Sequence, residues 1–471
     1  MTTPTSLRRL VIACSFVANL VLCPNIKADE HMSPHNGDHQ TMLLKHPAFI
    51  LSMDPDLGKG PLGLIEGGDL LVEDGTIRAV GRTPDAPHAT VIDATGLILM
   101  PGFVDVHNHL YQSVIRGACA DQDLLGWLER CAYPSTRAFS AQAVYDATRL
   151  STLGLIDTGV TTVVDWVPMA FTPEVATANL RALTDSGLRF AFGYSPKDAE
   201  KETVQDLKSK WIDPNPLARL QLSGATYSAF EEHLAKIVRL AGELDIAVNV
   251  HLLEHPRQRD DDPFSILERT GALALGSNLL VNHAIHVLPG EITRLAQHGV
   301  RVAHCPLSNM RLGSGIMHLP EFHDAGVRVG LGLDGGTNDT TDFFNLMRAA
   351  VGLQRARAQT TTVYPHIADV LRMATIEGAA ILGLNSIIGS LSPGKRADLI
   401  AIDPRGVNFA PTVDVASQLV LNAQPANVRY VMVDGKLLKD GNRFVGVDPA
   451  PLIDSAQRTA DRLRQMNNPS E

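Results

Sequence analysis

The sequence predicts an α/β fold: a (β/α)8 TIM barrel with a small β-sandwich that the N- and C-terminal segments build together. Between residues 101 and 387, short apolar runs typical of strands alternate with long amphipathic stretches typical of helices. On either side of that region, strand-like runs are paired around Asp-Gly turns, which are strong hairpin signals. Ionisable residues directly follow several apolar runs of the middle region, and strand ends are where a barrel carries its chemistry.

The composition limits the partners that the protein can have. With 471 residues, 45% hydrophobic content and 20% charged content, the chain can bury a sizeable core in one large domain and a smaller one. Its formal net charge is -10. An acidic body without basic runs argues against nucleic acid and anionic membranes as partners.

Residues 1–28 have the pattern of a signal peptide. Arg8 and Arg9 precede an apolar stretch, 10–23, that is too short to span a bilayer comfortably. We expect cleavage near Ala28, which predicts an exported protein, periplasmic or secreted, without stable membrane association after cleavage. A twin-arginine signal, a lipoprotein signal and an uncleaved signal anchor are the alternatives.

Three cysteines remain after such a cleavage, Cys119, Cys131 and Cys305. An odd number at scattered positions predicts neither a disulfide framework nor a thiolate zinc site. An exported location permits one disulfide, but the sequence does not demand it.

The two ends of the chain are expected to form the sandwich. Residues 29–45 are polar, which predicts a flexible leader, and their three histidines leave a metal-binding tract as the alternative. Asp74-Gly75 separates two strand-like runs, and Asp434-Gly435 repeats this design near the other end. We therefore assign 46–100 and 388–450 to one composite β-sandwich and 451–471 to a C-terminal helix or tail.

The middle region, 101–387, is expected to form the barrel. The strand candidates after the first one are 161–166, 188–194, 246–252, 279–282, 300–304 and 327–333. Amphipathic stretches such as 141–158 and 228–244 separate them.

Histidines or carboxylates stand where these apolar runs end. The first run ends in His107 and His109, and residues two apart on a strand project to the same face, so the two imidazoles offer half of a metal site. Later runs end in further ionisable residues, which are His251 with Glu254, then His283, His304 and Asp334. One such residue is ordinary, whereas five strand ends in register are hard to attribute to packing.

Three motifs resemble those of the amidohydrolase superfamily. They are Pro-Gly-Phe-Val-Asp at 101–105, His-Cys-Pro-Leu-Ser-Asn-Met at 304–310, and Gly-Ser-Leu-Ser-Pro-Gly-Lys-Arg-Ala-Asp-Leu at 389–399. The resemblance covers nearly the whole mature chain. It is to the branch that holds triazine hydrolases, 8-oxoguanine and guanine deaminases, and S-adenosylhomocysteine and methylthioadenosine deaminases.

The resemblance implies one divalent metal ion bound by four side chains, His107, His109, His251 and Asp334. This donor set leaves room for a water molecule, as a catalytic site requires. No lysine matches the bridging position of the two-metal branches, since the strand nearest that role ends Val-Val-Asp-Trp at 163–166. Zinc is the expected metal, and iron accepts the same ligands.

The same resemblance implies a hydrolytic mechanism. Zinc lowers the pKa of bound water from about 15.7 to about 7. Asp334 would accept a proton from this water as hydroxide attacks an sp2 carbon, and Glu254 would protonate a ring nitrogen and then assist the leaving group. His283 would hydrogen-bond the attacking water or the developing oxyanion.

We therefore expect a deaminase of an amino-substituted N-heterocycle, resembling a purine, pterin or triazine, that releases ammonia. The first alternative keeps the fold but releases chloride, an alkylamine or an amide leaving group. The second is an inactive binding protein that retains the barrel. The oligomeric state stays open, and analogy with the family suggests a homodimer.

Four residues are candidates for substrate contacts. The Gln112 amide can pair with a ring N–H and a carbonyl together, and Trp127 can stack on a flat heterocycle, although packing alone would explain either residue. His304 is either a substrate contact or a buried hydrogen-bonding group. Asn338 follows the last strand, in the loop after Asp334.

Position 125 differs from the nucleoside-deaminating relatives. Leu125 stands where these often carry an acidic residue that can hold ribose hydroxyls. The segment 334–339 is also a residue shorter than in relatives. Both features favour a heterocycle without a sugar.

Overall fold

The computed structural model describes residues 40–82, 85–168, 172–336 and 340–467. The predicted signal peptide and nearly all of the predicted leader lie outside these ranges. Within them, no helix is both long enough and apolar enough to cross a membrane.

The strands fall into three groups along the chain. The first group is β1 (Thr41–Lys45), β2 (Phe49–Leu51), β3 (Leu64–Glu66), β4 (Asp69–Glu73), β5 (Thr76–Gly81), β6 (Thr90–Asp93) and β7 (Ile98–Pro101). The second is β8 (Phe103–Asn108), β9 (Val160–Trp166), β10 (Arg189–Tyr194), β11 (Ala218–Gly224), β12 (Ala247–Leu252), β13 (Leu279–His283), β14 (Arg301–His304) and β15 (Val329–Leu331). The third is β16 (Leu399–Ile402), β17 (Val428–Val433), β18 (Lys436–Asp440) and β19 (Arg443–Phe444).

The second group forms the predicted barrel, so the fold class is confirmed. Its eight strands pair in chain order from β8 to β15, and the paired strands are parallel. β15 returns to contact β8, and the N–H of Asp334 donates to the carbonyl of His107 at 2.9 Å. Gly332 allows this close approach, because a Cβ at that position would lie 2.9 Å from the Cβ of His107.

Strand β11 is the barrel strand that the sequence pattern failed to predict. Its residues alternate between apolar and polar, with Arg219 and Gln221 inside the run. A continuous apolar run is the usual signal of a strand that is buried on both faces, and these two residues interrupt it. Gln221 is nevertheless buried, where its side-chain oxygen accepts a 3.0 Å hydrogen bond from Asn249 on β12.

Several of the α-helices begin at a residue whose side chain accepts a hydrogen bond from the first turn. The α-helices are α1 (Leu124–Trp127), α2 (Tyr133–Ala138), α3 (Ala141–Thr158), α4 (Pro173–Ser186), α5 (Lys201–Leu207), α6 (Glu231–Leu244), α7 (Pro263–Arg269), α8 (Pro289–His298), α9 (Pro306–Arg311), α10 (Leu319–Asp324), α11 (Phe343–Ala358), α12 (Ile367–Met373), α13 (Ile376–Ile381), α14 (Val415–Leu421) and α15 (Pro449–Asn467). The Ser140 hydroxyl accepts from the N–H of Ala143 at the start of α3, which ends at Gly159 with φ 94°.

The two ends of the chain meet in the predicted sandwich. One sheet has the order β5-β4-β1-β6, and the other has the order β19-β18-β17-β16-β7-β2-β3, in which C-terminal β16 pairs with N-terminal β7. Both expected hairpins are present, and their Asp-Gly turns have positive φ at both residues. The predicted end of the leader at residue 45 is wrong, because 41–45 form β1, whose Met42, Leu43 and Leu44 are buried.

A buried ion pair joins the barrel to the sandwich. The guanidinium of Arg189 on β10 donates two hydrogen bonds to the carboxylate of Asp398, at 2.8 and 3.1 Å. A third N–H group lies 3.4 Å from the carboxylate of Asp434, in the turn between β17 and β18. Because Arg189 is only 2% exposed, its positive charge is stabilised by these two carboxylates in place of water.

Residues 116–138, which we call the roof segment, follow β8 and are cross-linked by a disulfide. The bond joins Cys119 to Cys131, twelve residues apart, whereas Cys305 is free and buried. The sequence permitted this bond without demanding it. Apolar residues of the roof segment, including Trp127, form a cluster with Ala456 and Leu463 of α15.

Candidate metal centre and active site

A cavity of about 280 Å³ lies at the carboxyl-terminal ends of the barrel strands. The roof segment contributes part of its lining, which is Leu124, Trp127, Leu128, Ala132, Tyr133 and Thr136. The strand ends and the loops after them contribute the rest, which is His109, Tyr111, Gln112, Trp166, Pro168, Gly224, Ala225, Thr226, Tyr227, His251, Glu254, Gln258, Leu312 and Asp334. A barrel carries its active site at this end.

The four expected metal ligands lie together at this cavity. Nε2 of His107 lies 3.1 Å from Oδ1 of Asp334, and Nε2 of His109 lies 3.4 Å from the same oxygen. Nε2 of His251 lies 3.3 Å from Nε2 of His109. His283 joins this group, since donor atoms of His107, His251, His283 and Asp334 all lie within 4.8 Å of one another.

Backbone contacts fix which nitrogen of His109 faces this group. Its Nδ1 lies 2.8 Å from the carbonyl oxygen of Trp166, and a carbonyl can only accept, so Nδ1 carries the proton. Nε2 therefore presents a lone pair toward Asp334 and His251. Metal-binding histidines are commonly oriented in this way by a carbonyl at the other ring nitrogen.

The position of Asp334 is fixed from several sides. Asp334 lies shortly after the end of β15, beside β8. Its φ is 69°, which is a left-handed backbone conformation. Ser308 donates a hydrogen bond from its hydroxyl to Oδ2, which leaves Oδ1 facing the imidazoles. Such backbone conformations persist where the surroundings over-determine them, often at functional sites.

The electrostatics suit a cation. Burial lowers the pKa of His107 to about 3 and that of His251 well below its ordinary value, so both imidazoles are neutral and retain a lone pair. Burial also disfavours the charged form of His109, but Asp334 outweighs it and raises the pKa. Burial opposes ionisation of Asp334, yet the surrounding imidazoles hold its pKa well below the usual range. Two neutral imidazoles beside a buried carboxylate fit a divalent cation.

Glu254 lies beside this group, and its surroundings favour the protonated form. Its Oε2 is 3.5 Å from Nε2 of His283, and the residue is 4% exposed. Burial, reinforced by the negative charge of Asp334, raises its pKa well above the ordinary value. A carboxylic acid that keeps its proton at neutral pH can act as a general acid.

Asn309 determines the orientation of His283. Its side-chain nitrogen lies 3.0 Å from Nδ1 of His283, so Nδ1 accepts and Nε2 carries the proton. Nε2 lies 4.0 Å from Oδ1 of Asp334, at the edge of the ligand group. In this tautomer the Nε2–H group of His283 is a donor on the side of Glu254 and Asp334.

Two of the four expected substrate contacts line the cavity. Gln112 donates from Nε2 to the hydroxyl of Tyr111 at 3.2 Å and accepts at Oε1 from the N–H of Gly336 at 3.0 Å. These bonds leave one amide N–H and one oxygen lone pair for a ligand. Trp127 lines the cavity and is 3% exposed, and its indole N–H has no acceptor among the described residues.

The other two expected contacts are not placed at the cavity. His304 is 1% exposed and is absent from the lining, and burial lowers its pKa to about 3. Its two ring nitrogens have no hydrogen-bond partner in the described part of the chain. Asn338 lies outside the described residues.

Several residues of the site were not singled out from the sequence. Asn309 and Ser308 fall inside the 304–310 motif, which therefore contained the signal for them. Trp166 ends the strand nearest the bridging-lysine position, and its ring centroid is 4.0 Å from that of His251. Tyr227 and Gln258, whose side chains are joined by a 3.0 Å hydrogen bond, carried no comparable signal.

Comparison with known proteins identifies relatives along nearly the whole chain. The amidohydrolase family model matches residues 98–438. A 5'-deoxyadenosine deaminase of Methanosarcina mazei is 31% identical over 436 residues, covering 88% of this chain and 97% of the relative. A 5-methylthioadenosine/S-adenosylhomocysteine deaminase of Desulforudis audaxviator is 33% identical over 414 residues, covering 84% and 95%. The crystal structure of a zinc-bound adenosine deaminase from Xanthomonas campestris superposes with a TM-score of 0.81 at 27% identity, covering 90% and 98%.

Proposed function

The chain belongs to the amidohydrolase family, and we propose that it is a metal-dependent deaminase of an adenine-type nucleoside. The observation that carries this proposal is the group formed by His107, His109, His251 and Asp334, with the buried Glu254, whose pKa is raised, beside it. In the reaction, water adds to the ring carbon that bears the exocyclic amino group. Ammonia leaves, and a ring carbonyl remains.

Each residue of the site has a defined task in this reaction. A divalent cation held by the imidazoles and Asp334 would acidify a water molecule and neutralise developing negative charge. Asp334 accepts a proton from the attacking water, and Glu254 delivers its proton to the neighbouring ring nitrogen. Asp334 then passes its proton to the amino group as the carbon–nitrogen bond breaks, and the hydroxyl proton of the adduct returns to Glu254 as the carbonyl forms. His283 donates from Nε2 to the oxygen that becomes the product carbonyl.

The purine is proposed to lie between the roof segment and the strand ends. Trp127 offers an aromatic surface, and Gln112 keeps one donor and one acceptor for the heterocycle. Leu125 does not line the cavity, so the sugar hydroxyls would be met by neutral groups such as Thr136 and Tyr133. The names of the relatives support a nucleoside over the sugar-free heterocycle that position 125 favoured.

Zinc is the proposed metal. Three imidazoles and one carboxylate form a set that zinc prefers in catalytic sites, and the related adenosine deaminase structure contains zinc. Iron binds the same donor types, so elemental analysis of purified protein is the deciding measurement. We expect about one equivalent of zinc per chain.

The activity is tested by ammonia release from purified protein with purine nucleosides, free purines, pterins and triazines. We expect turnover with 5'-deoxyadenosine or methylthioadenosine, together with formation of the 6-oxo product. Release of chloride or an alkylamine in place of ammonia would favour the first alternative. Bound metal without any turnover on this panel would favour the inactive binding protein.

Export into an oxidising compartment is a further part of the proposal. The pattern of residues 1–28 and the disulfide between Cys119 and Cys131 both support it, since such bonds persist mainly outside the cytosol. N-terminal sequencing of the protein from a fractionated native host should find it outside the cytoplasm and starting near residue 29. A cytoplasmic protein with its first 28 residues intact would contradict export.

A further inference from the structure

We infer that the cavity accepts nucleosides whose 5' substituent is uncharged and discriminates against those that carry an amino-acid group there. This inference rests on the proposed function and narrows its substrate class. It follows from where charge is located on the cavity surface.

Among the described residues that line the cavity, the side chains that carry or exchange charge belong to the proposed metal centre or lie directly beside it. They are His109, His251, Glu254 and Asp334. The remaining lining consists of apolar, amide, hydroxyl and phenol groups. A phenol has an ordinary pKa of about 10, so these tyrosines are uncharged at neutral pH.

The part of the lining that the roof segment contributes is largely apolar. Leu124, Leu128 and Ala132 lie there beside Trp127, and Leu312 adds a further aliphatic side chain from the end of α9. A 5' alkyl or alkylthio group can bury its surface against such residues. An ammonium and a carboxylate would have to lose water there without an ionic partner, which is unfavourable.

Two arginines that are close in sequence to lining residues, Arg311 and Arg259, bind elsewhere, and the others, such as Arg137 and Arg257, are not part of the lining. Arg311 donates to the carbonyl of Ala118 at 3.0 Å, and Arg259 forms a two-fold contact with Glu291 at 2.6 Å. Neither arginine lines the cavity. Residues 169–171 and 337–339 are not described; their sequences, Met-Ala-Phe and Thr-Asn-Asp, contain one carboxylate and no lysine or arginine.

A matched set of substrates tests the inference. S-Adenosylhomocysteine and 5'-butylthio-5'-deoxyadenosine share purine, ribose, sulfur and a four-carbon chain, and they differ in the charged groups. Methylthioadenosine provides the short uncharged member. We expect kcat/KM for S-adenosylhomocysteine to be at least about 100-fold below that for the butylthio compound, whereas the two uncharged compounds differ by about 10-fold or less.

A gain-of-charge variant gives an independent measurement. Leu128→Arg places a cation in the lining, and Leu128→Gln is its uncharged control. We expect Leu128→Arg, relative to Leu128→Gln, to raise the ratio of kcat/KM for S-adenosylhomocysteine over the butylthio compound by about 10-fold. If Leu128→Arg does not fold, the comparison of substrates on the wild-type protein still decides the question.

The outcomes separate the inference from the proposed function. Equal kcat/KM for S-adenosylhomocysteine and the butylthio compound would overturn the inference and leave the deaminase assignment standing. The inference would also fail if S-adenosylhomocysteine is a good substrate because an exposed arginine, such as Arg137 or Arg257, binds its carboxylate. The Arg137→Gln and Arg257→Gln variants would reveal such a contact. No deamination of any of the three nucleosides by metal-loaded protein would overturn both.

Discussion

Reduction of the disulfide between Cys119 and Cys131 is expected to weaken substrate binding without disturbing the metal centre. The bond closes a loop with a sequence separation of 12 within the roof segment. In the chain-entropy treatment, a loop of this length corresponds to about 3 kcal/mol at 25 °C. The loop contains Leu124, Trp127 and Leu128, all of which line the cavity. Losing this stabilisation therefore destabilises the cavity lining.

The size of the effect follows from that free energy. Since about 1.4 kcal/mol corresponds to a factor of ten, loss of the bond raises KM by at most about 100-fold. The proposed metal ligands lie on β8, directly after β8, on β12 and shortly after β15, outside the loop, so kcat and metal content should change little. The roof segment also packs against α15, which limits how far it can loosen when the disulfide is lost. We therefore expect KM to rise by about 10-fold.

The assay compares wild-type protein and the Cys119→Ser/Cys131→Ser variant, each with and without a thiol-free reductant. KM for methylthioadenosine should rise on reduction of the wild type and should already be raised in the variant, where the reductant has no further effect. Amide hydrogen exchange should accelerate in 116–138 and stay slow in β8 to β15. An unchanged KM together with unchanged exchange of 116–138 after complete reduction would refute the reasoning.

The remaining predictions concern the metal centre and the domain junction. Glu254→Gln should retain the metal while kcat falls by roughly two to four orders of magnitude, and full activity would remove Glu254 from the mechanism. His109→Ala should lose metal affinity, measured by competition with a chelator, with little change in circular dichroism; metal retained at full affinity would contradict its role as a ligand. Arg189→Ala should lower the free energy of unfolding by about 3–5 kcal/mol in urea titrations, because the buried carboxylate of Asp398 loses its partner. The same variant should keep its metal, and an unfolding free energy within about 1 kcal/mol of wild type would contradict this account.

The barrel and the ligand group were predictable because both leave local marks in the sequence. A ligand carried by a parallel strand must sit where the strand ends, so His107, His109 and His251 directly follow or end apolar runs. The sandwich was predictable for a related reason. A two-residue turn with positive φ at both positions demands residues such as Asp-Gly, and both hairpins carry that pair.

The lining of the cavity was less predictable, because it depends on contacts between segments that are distant in the chain. Cys119 and Cys131 have no spacing that distinguishes a disulfide from two free thiols. Tyr227 and Gln258 meet only after β11 and β12 have paired, and β11 itself lacked the expected apolar run. The boundary at β1 was missed since three apolar residues, 42–44, follow a long polar stretch.

The backbone at the site differs from that of the strands, because several of its residues have positive φ. Leu253, His283, Ala284 and Asp334 all have positive φ, a conformation that residues other than glycine, asparagine and aspartate seldom adopt. Each of these residues is, or directly adjoins, a group assigned to chemistry, which is Glu254, His283 or Asp334. The chain turns sharply there so that a side chain leaves the strand direction and points across the barrel mouth. Local preference would place glycine at such turns, but at positions 283 and 334 glycine would supply no imidazole or carboxylate. The surrounding contacts, such as the 2.9 Å hydrogen bond from Asp334 to His107, must therefore offset the strain, which is why the conformation cannot be read from the segment alone.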